Sequence, residues 1–90
     1  MNYFKNKTLL ITGGTGSFGG ALLEKFYTEN TPIKEIRIFS RDEKKQDDLR
    51  KKHTNFKGKL KFIIGDVRDI SSVNDAVNGS DFIFHAAALK

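Results

Sequence analysis

The stretch Thr12-Gly13-Gly14-Thr15-Gly16-Ser17-Phe18-Gly19 decides the fold of this chain. It follows a short apolar run over residues 7–12, and it opens a segment in which apolar residues recur at four-residue spacing up to Phe26. A strand that ends in glycines and leads directly into a helix is the context in which a glycine-rich turn binds the diphosphate of a dinucleotide. One glycine permits the sharp turn, a second lets the backbone approach the phosphates, and Gly19 lets the helix pack closely on the sheet.

The same alternation of apolar strands and helices continues to the end of the sequence. Further strands are predicted over residues 35–40, 60–65 and 81–86, and further helices over about 42–53 and 70–77. Short, apolar strands that alternate with helices indicate an α/β fold whose parallel sheet is covered on both faces. The pattern predicts one Rossmann-like domain over residues 1–90, with four strands in the order 3-2-1-4 and a switch point between the first and fourth strands.

Composition excludes several classes of protein. The chain has 90 residues and no cysteine, which excludes a disulfide framework, a thiolate zinc site and a cysteine nucleophile. No apolar run approaches the roughly 18 residues that cross a bilayer. We therefore expect a soluble, cytoplasmic protein with no membrane association and no metal site.

The net charge of +5 is concentrated in residues 34–61, which hold eleven Lys and Arg against five Asp and Glu. A basic segment favours a partner that carries phosphate, although a solvated helix face has the same composition. No helix-turn-helix, zinc or RNA-binding signature accompanies the charge, so we expect no nucleic-acid partner.

The end of the second predicted strand bears on the choice between NADP and NAD. NAD-binding proteins usually place an acid about 20 residues beyond the glycine motif, but Ser40 and Arg41 stand there. A guanidinium can hold a 2′-phosphate through two parallel hydrogen bonds, and a hydroxyl and a lysine nearby add donors. This favours NADP. Two alternatives stay open: Asp42 or Glu43 turns inward as the ribose-binding acid of an NAD site, or Arg41 lies solvated at the surface.

The third and fourth strands end in residues that suit the rest of a dinucleotide. Asp66 is placed to accept a hydrogen bond from the adenine amino group, with Val67 against the ring. The alternative for an aspartate in this turn is a helix N-cap, which fits Asp69 better. The fourth strand ends in His85 followed by the small residues 86–88, which leave room for a cofactor. We interpret His85 as structural rather than catalytic.

Four blocks of sequence together carry a family resemblance: residues 12–19, residues 40–46 (Ser-Arg-Asp-Glu-Lys-Lys-Gln), residues 65–69 (Gly-Asp-Val-Arg-Asp) and residues 85–90 (His-Ala-Ala-Ala-Leu-Lys). The chain resembles the extended short-chain dehydrogenase/reductases that act on UDP-N-acetylglucosamine. It is most similar to the 4,6-dehydratases of bacterial polysaccharide biosynthesis, including those that also invert C5. Glycines 13, 16 and 19 match the version of the motif in this superfamily, whereas glycines 14, 16 and 19 match the general dinucleotide fingerprint. The resemblance spans all 90 residues.

The resemblance implies a set of residues around the cofactor, and it implies that Lys90 also faces the nucleotide-sugar substrate. The implied cofactor-binding residues are Gly13, Thr15, Gly16, Ser17, Phe18, Gly19, Ser40, Arg41, Asp42, Glu43, Lys44, Lys45, Asp66, Val67, Ala86, Ala87 and Lys90.

The resemblance also implies an activity. In the family reaction, bound NADP serves as a hydride shuttle: C4 of the sugar is oxidised, water leaves across C5 and C6, and the hydride returns to C6. UDP-N-acetylglucosamine would be the substrate, and the parent enzyme would be a homo-oligomer. A UDP-sugar 4-epimerase of the same superfamily and a catalytically inert dinucleotide-binding half-domain are the alternatives.

The family's catalytic residues, a Thr/Ser-Asp-Lys segment and a Tyr (or Met)-x-x-x-Lys pair, lie beyond this chain, so we assign no catalytic residue within it. We expect the 90 residues to be the N-terminal part of the dinucleotide-binding domain, without a substrate domain and without activity of their own. Such a truncated sheet should have a bare edge that favours aggregation.

Overall fold

The computed structural model describes residues 4–13, 17–29, 33–52 and 59–85. Its seven elements are β1 (Thr8–Thr12), α1 (Ser17–Glu29), β2 (Glu35–Ser40), α2 (Glu43–Lys52), β3 (Lys59–Ile64), α3 (Ile70–Val77) and β4 (Phe82–His85). The four strands form one parallel sheet in the order β3-β2-β1-β4. The predicted α/β, Rossmann-like fold with strand order 3-2-1-4 is confirmed.

The two faces of the sheet carry separate cores, because successive residues of a strand point to opposite sides. On one face, β1 and β2 pack against helices α1 and α2; the buried residues there are Leu9, Ile11, Leu23, Phe26, Ile33, Ile36, Ile38 and Leu49. On the other face, Leu10 and Phe39 pack against Ala76 of α3. Helices therefore cover both faces, as the apolar character of the strands predicts.

Helix α3 begins at the cap that the sequence indicates and packs on the sheet through its middle and its end. Asp69 is its N-cap and accepts a hydrogen bond from the backbone N–H of Ser71. Ile70, its first residue, is 74% exposed. The contacts to the sheet come from Val73, Ala76 and Val77. Ile70 lies one turn before these residues.

Arg37 of β2 forms hydrogen bonds to the C-terminal end of α3. The Nη1 of Arg37 donates to the carbonyl oxygens of Ala76 at 2.8 Å and Asn78 at 2.5 Å. Its Nε pairs with Glu35 at 2.7 Å. The last carbonyls of a helix lack partners within the helix, so Arg37 satisfies them while joining α3 to β2.

Asp81 joins β1 and β4 at their amino ends through two hydrogen bonds to Thr8. The backbone N–H of Asp81 donates to the carbonyl of Thr8 at 2.7 Å, and the Asp81 carboxylate accepts from the N–H of Thr8 at 2.8 Å. Strand β4 forms one edge of the sheet, and Ile83 there is 52% exposed. None of the described helices has the length and apolar character needed to span a membrane.

Candidate functional site

The carboxyl ends of the four strands meet at one edge of the sheet, where ligands of open α/β sheets bind. Thr12 lies beside Phe39 in β2 and beside His85 in β4, and Ser40 lies beside Ile64 in β3. The connections that follow β1, β2 and β3 therefore leave the sheet at this edge. The switch point lies between β1 and β4, as the strand order requires.

The turn after β1 depends on Gly13. Its φ of 69° is in the left-handed region, which glycine adopts without the strain of a side chain. The N–H of Gly13 donates to the carbonyl of Phe39 at 2.8 Å. Gly13 thus shapes the turn, and its own N–H is used within the sheet rather than offered to a phosphate.

Helix α1 begins at Ser17, directly beyond this turn. The N–H groups in the first turn of a helix lack partners within it, and this end carries a partial positive charge. No acidic residue stands in the first turn of α1 to offset that charge. Such a helix end is a favourable place for an anion, and the cofactor contacts of Ser17, Phe18 and Gly19 stay predictions. The predicted phosphate contacts of Thr15 and Gly16 lie outside the described residues.

The end of β4 is tied to the end of β1. The hydroxyl of Thr12, which is buried, lies 2.5 Å from Nδ1 of His85. This hydrogen bond joins the two strands on either side of the switch point. The predicted cofactor contacts of Ala86, Ala87 and Lys90, and the predicted substrate contact of Lys90, lie outside the described residues.

An open, polar groove lies at the end of β2, lined by Ser40, Arg41, Asp42 and Glu43. Ser40 is buried at its base, whereas the Arg41 side chain is 71% exposed. Glu43 and the next two residues, Lys44 and Lys45, are exposed in the first turn of α2. The structure thus brings together the residues predicted to surround a 2′-phosphate and the adenosine ribose.

Asp42 has a defined partner in this groove. Its carboxylate accepts a hydrogen bond from the N–H of Lys45 at 2.9 Å, and its carbonyl accepts from the N–H of Gln46 at 3.1 Å. This is how an N-cap residue satisfies the first donors of a helix. A capping role for Asp42 weakens the alternative in which its carboxylate turns inward to bind a ribose.

Gln46 is the site residue that the sequence reasoning missed. A strongly polar helix with Leu49 as its one apolar position predicts a solvent-facing element, but Gln46 is only 2% exposed. Its Nε2 lies 2.9 Å from the Ser40 hydroxyl oxygen and 2.9 Å from the carbonyl oxygen of Ile63. The signal that could have found it is the spacing of three residues from Leu49, which places both on one face of the helix.

The carboxylate after β3 is held by an arginine. Asp66 accepts hydrogen bonds from Nε and Nη2 of Arg68, at 3.2 Å and 2.8 Å, and from the Arg68 N–H at 2.9 Å. The guanidinium of Arg41 lies 3.8 Å from the same carboxylate and links the ends of β2 and β3. Val67 is 44% exposed beside them. The proposed contact of Asp66 with an adenine amino group stays a prediction.

Asp66 should titrate far below an ordinary aspartate. The hydrogen bonds from Arg68, supported by the charges of Arg68 and Arg41, lower the pKa of Asp66 to about 2. Because the folded pKa is depressed, the stabilising effect of this ion pair is present above the usual pKa of about 3.9 and is lost as the pH falls towards 2. We expect NMR of the carboxyl carbon to give a midpoint near 2, and Arg68→Gln to raise it.

Arg50→Gln is the control for this titration, because Arg50 pairs with Asp47 on α2 instead. It should leave the Asp66 midpoint where it is. An Asp66 midpoint that does not move in Arg68→Gln would show that Arg68 is not the cause.

Within the described residues, no cluster of three or more His, Asp or Glu could hold a metal ion.

Comparison with known proteins agrees with this arrangement. The chain is 62% identical over 89 residues to a UDP-glucose 4-epimerase of Rickettsia prowazekii (strain Madrid E), a match that covers 97% of this chain and 26% of that protein. The chain thus spans about a quarter of the length of the curated relatives it matches.

Solved structures show the same fold. Pen from Bacillus thuringiensis superposes with a TM-score of 0.86 at 36% identity, over 98% of this chain and 26% of that one. A Rossmann-fold NAD(P)-binding family protein from Shigella flexneri superposes with a TM-score of 0.73 at 21% identity, over 94% of this chain and 39% of that one. The model of a family described as polysaccharide biosynthesis protein matches residues 9–90. With the glycine turn, the switch point and the polar ends of β2 and β3 in place, the chain belongs to the polysaccharide biosynthesis protein family.

Proposed function

We propose that this chain is the NADP-binding part of an enzyme that modifies UDP-sugars for polysaccharide biosynthesis, with a UDP-N-acetylglucosamine 4,6-dehydratase as the first candidate. The observation that carries the cofactor proposal is the end of β2. There a buried hydroxyl, Ser40, and an exposed guanidinium, Arg41, line one groove, while Asp42, a carboxylate of the same groove, caps α2.

The described residues fit three parts of NADP: the diphosphate, the 2′-phosphate and the adenine. The N-terminus of α1, without an acid in its first turn, suits the diphosphate. Arg41 and the Ser40 hydroxyl supply donors for a 2′-phosphate, and Asp66 supplies an acceptor for the adenine amino group. When bound, the nicotinamide would accept and return the hydride of the sugar.

A UDP-sugar 4-epimerase is the second candidate, and a specific finding favours it. The relatives that are 60–62% identical to this chain carry the name UDP-glucose 4-epimerase. Both candidate reactions begin with oxidation of the sugar at C4, so one dinucleotide-binding domain serves either. We therefore expect the substrate to be a UDP-sugar in both cases.

Calorimetric titration of the 90-residue chain with NADP⁺ and with NAD⁺ tests the cofactor proposal. We expect NADP⁺ to bind at least about tenfold more tightly, because its 2′-phosphate adds charge-assisted hydrogen bonds. Equal affinity for the two dinucleotides would contradict the assignment of Ser40 and Arg41. The absence of binding to either would contradict the dinucleotide site itself.

Product analysis separates the candidate activities. The full-length parent protein is incubated with NADP⁺ and either UDP-N-acetylglucosamine or UDP-glucose, and the sugar is followed by proton NMR. A 4-keto-6-deoxy product identifies the dehydratase, and inversion at C4 identifies the epimerase. Dinucleotide binding by the chain, without any product from the parent protein, would favour the third alternative, a catalytically inert half-domain.

A further inference from the structure

Gln46 is a buried amide on an otherwise charged helix, and its contacts lead to the groove at the end of β2. Its Nε2 has three oxygen atoms within reach: the Ser40 hydroxyl at 2.9 Å, the Ile63 carbonyl at 2.9 Å and the Ser40 carbonyl at 3.4 Å. Carbonyl oxygens only accept hydrogen bonds. The side of the amide that faces them must therefore be the NH₂ group, which fixes the orientation of Gln46.

That orientation in turn fixes the role of the Ser40 hydroxyl. A serine hydroxyl has one hydrogen to donate and two lone pairs that accept. Because the Gln46 amide donates to the Ser40 oxygen, the hydroxyl hydrogen of Ser40 is directed to a different acceptor. Ser40 lines the open groove with Arg41, so an acceptor bound in that groove would receive this hydrogen.

A phosphate dianion is the ligand group that best matches such a donor. Its oxygens are charged acceptors, and hydrogen bonds to charged groups are stronger than those between neutral groups. A ribose hydroxyl can itself donate, and it would gain less from a serine whose lone pair is already in use. The polarity of the Ser40 hydroxyl therefore discriminates between a phosphorylated and a free 2′ position.

We propose that Gln46 is a positioning residue for cofactor choice: it holds the Ser40 hydroxyl as a donor towards the 2′-phosphate without touching the cofactor. This inference rests on the proposed NADP site and deepens it. It locates part of the selectivity in a side chain of α2 that is buried beneath the groove.

The test is a double-mutant cycle read out as affinity for NADP⁺ and NAD⁺ by calorimetric titration. Gln46→Met keeps the approximate length of the side chain and removes the donor. We expect it to weaken NADP⁺ binding by about fivefold, less than the loss of a whole charge-assisted hydrogen bond, with NAD⁺ affinity unchanged within about twofold. In the Ser40→Ala background, Gln46→Met should cause no further loss of selectivity.

Two further variants separate positioning from a merely structural role. Leu49→Ala loosens the same face of α2, where Leu49 is buried, but removes no hydrogen bond to Ser40, because leucine has no polar side-chain atom. It should change the affinities for both dinucleotides by the same factor. Gln46→Asn retains the amide but is one methylene too short to reach Ser40 and Ile63 together, so it should show the same selectivity loss if Gln46→Met does not fold.

The outcomes are distinguishable. A wild-type chain that prefers NADP⁺, combined with Gln46 variants that keep this preference, would overturn the inference and leave the proposed cofactor standing. A parallel loss for both dinucleotides in the Gln46 variants would reduce Gln46 to a structural residue. A wild-type chain without preference would refute the NADP proposal, and the inference with it.

Discussion

Gly65→Ala should lower the free energy of unfolding by about 2–3 kcal/mol, the cost of overpacking a closed core. A Cβ at this position would lie 2.6 Å from Cε2 and 2.7 Å from Cζ of Phe39. The Phe39 ring is buried against Leu10 and Ala76 and has little room to move. The N–H of Gly65 also donates to the Ser40 carbonyl at 2.9 Å, so its backbone cannot withdraw without losing a hydrogen bond of the sheet.

Gly20→Ala is the matched control for this substitution. Gly20 lies within α1, and a Cβ there would have nothing within 4 Å. Alanine in a helix interior is favoured over glycine by roughly 0.5–1 kcal/mol, so this variant should be more stable than the wild type. Urea denaturation measures both effects. Equal changes at the two glycines would show that the contact with Phe39 does not limit Gly65.

A second substitution tests the cause. Phe39→Leu removes the ring atoms that the new Cβ would meet, although it also costs stability of its own. In the Gly65→Ala background it should therefore cost less than it does in the wild type, a coupling that the double-mutant cycle reports. If the effects of Gly65→Ala and Phe39→Leu on the free energy of unfolding are strictly additive, contact with the Phe39 ring does not cause the strain in Gly65→Ala.

Arg41→Ala should weaken NADP⁺ binding by roughly 10- to 100-fold, the range for losing hydrogen bonds to a charged group. NAD⁺ affinity should change by less than about threefold, because NAD⁺ has no 2′-phosphate for the guanidinium to hold. The preference of the wild type should also shrink as salt is raised, since the Arg41 side chain is largely exposed and its charge is screened. Arg41→Lys should recover part of the loss only, because lysine cannot form the two parallel hydrogen bonds.

Arg50→Ala is the control for net charge. Arg50 is exposed on α2, pairs with Asp47 and lies over the Phe62 ring at 4.7 Å, so its loss removes one positive charge without touching the groove at the end of β2. It should leave the ratio of NADP⁺ to NAD⁺ affinity unchanged. If Arg50→Ala and Arg41→Ala reduce NADP⁺ binding alike, the effect is general electrostatic attraction rather than recognition of the 2′-phosphate.

The fold could be predicted because its signals are local. The glycine turn beginning at Thr12, the short apolar strands and the cap at Asp69 each depend on residues a few positions apart. Strand order then follows from general rules of parallel sheets and their crossovers. The grouping of Ser40 and Arg41 at the edge of the sheet follows from the same rules, because Ser40 ends β2 and Arg41 follows it directly.

The features that escaped prediction depend on side chains that reach between elements. Gln46 is buried because it meets the carbonyl of Ile63 in another strand, and no periodicity of apolar residues marks that contact. Arg37 reaches from β2 to the end of α3 in the same way. Asp66 and Arg68 are close in sequence, but their ion pair depends on the backbone conformation of the turn after β3.

Asp81 joins β1 and β4 at their amino ends, opposite to the candidate site. This affects which substitutions the site can accept. A backbone hydrogen bond and a carboxylate hydrogen bond between Asp81 and Thr8 align these two strands at their amino ends. Their alignment therefore does not require a ligand at their carboxyl ends. Substitutions at the carboxyl ends of the strands can therefore change the candidate site while the pairing of β1 with β4 is preserved, so the composition of the site and the architecture of the sheet can change independently.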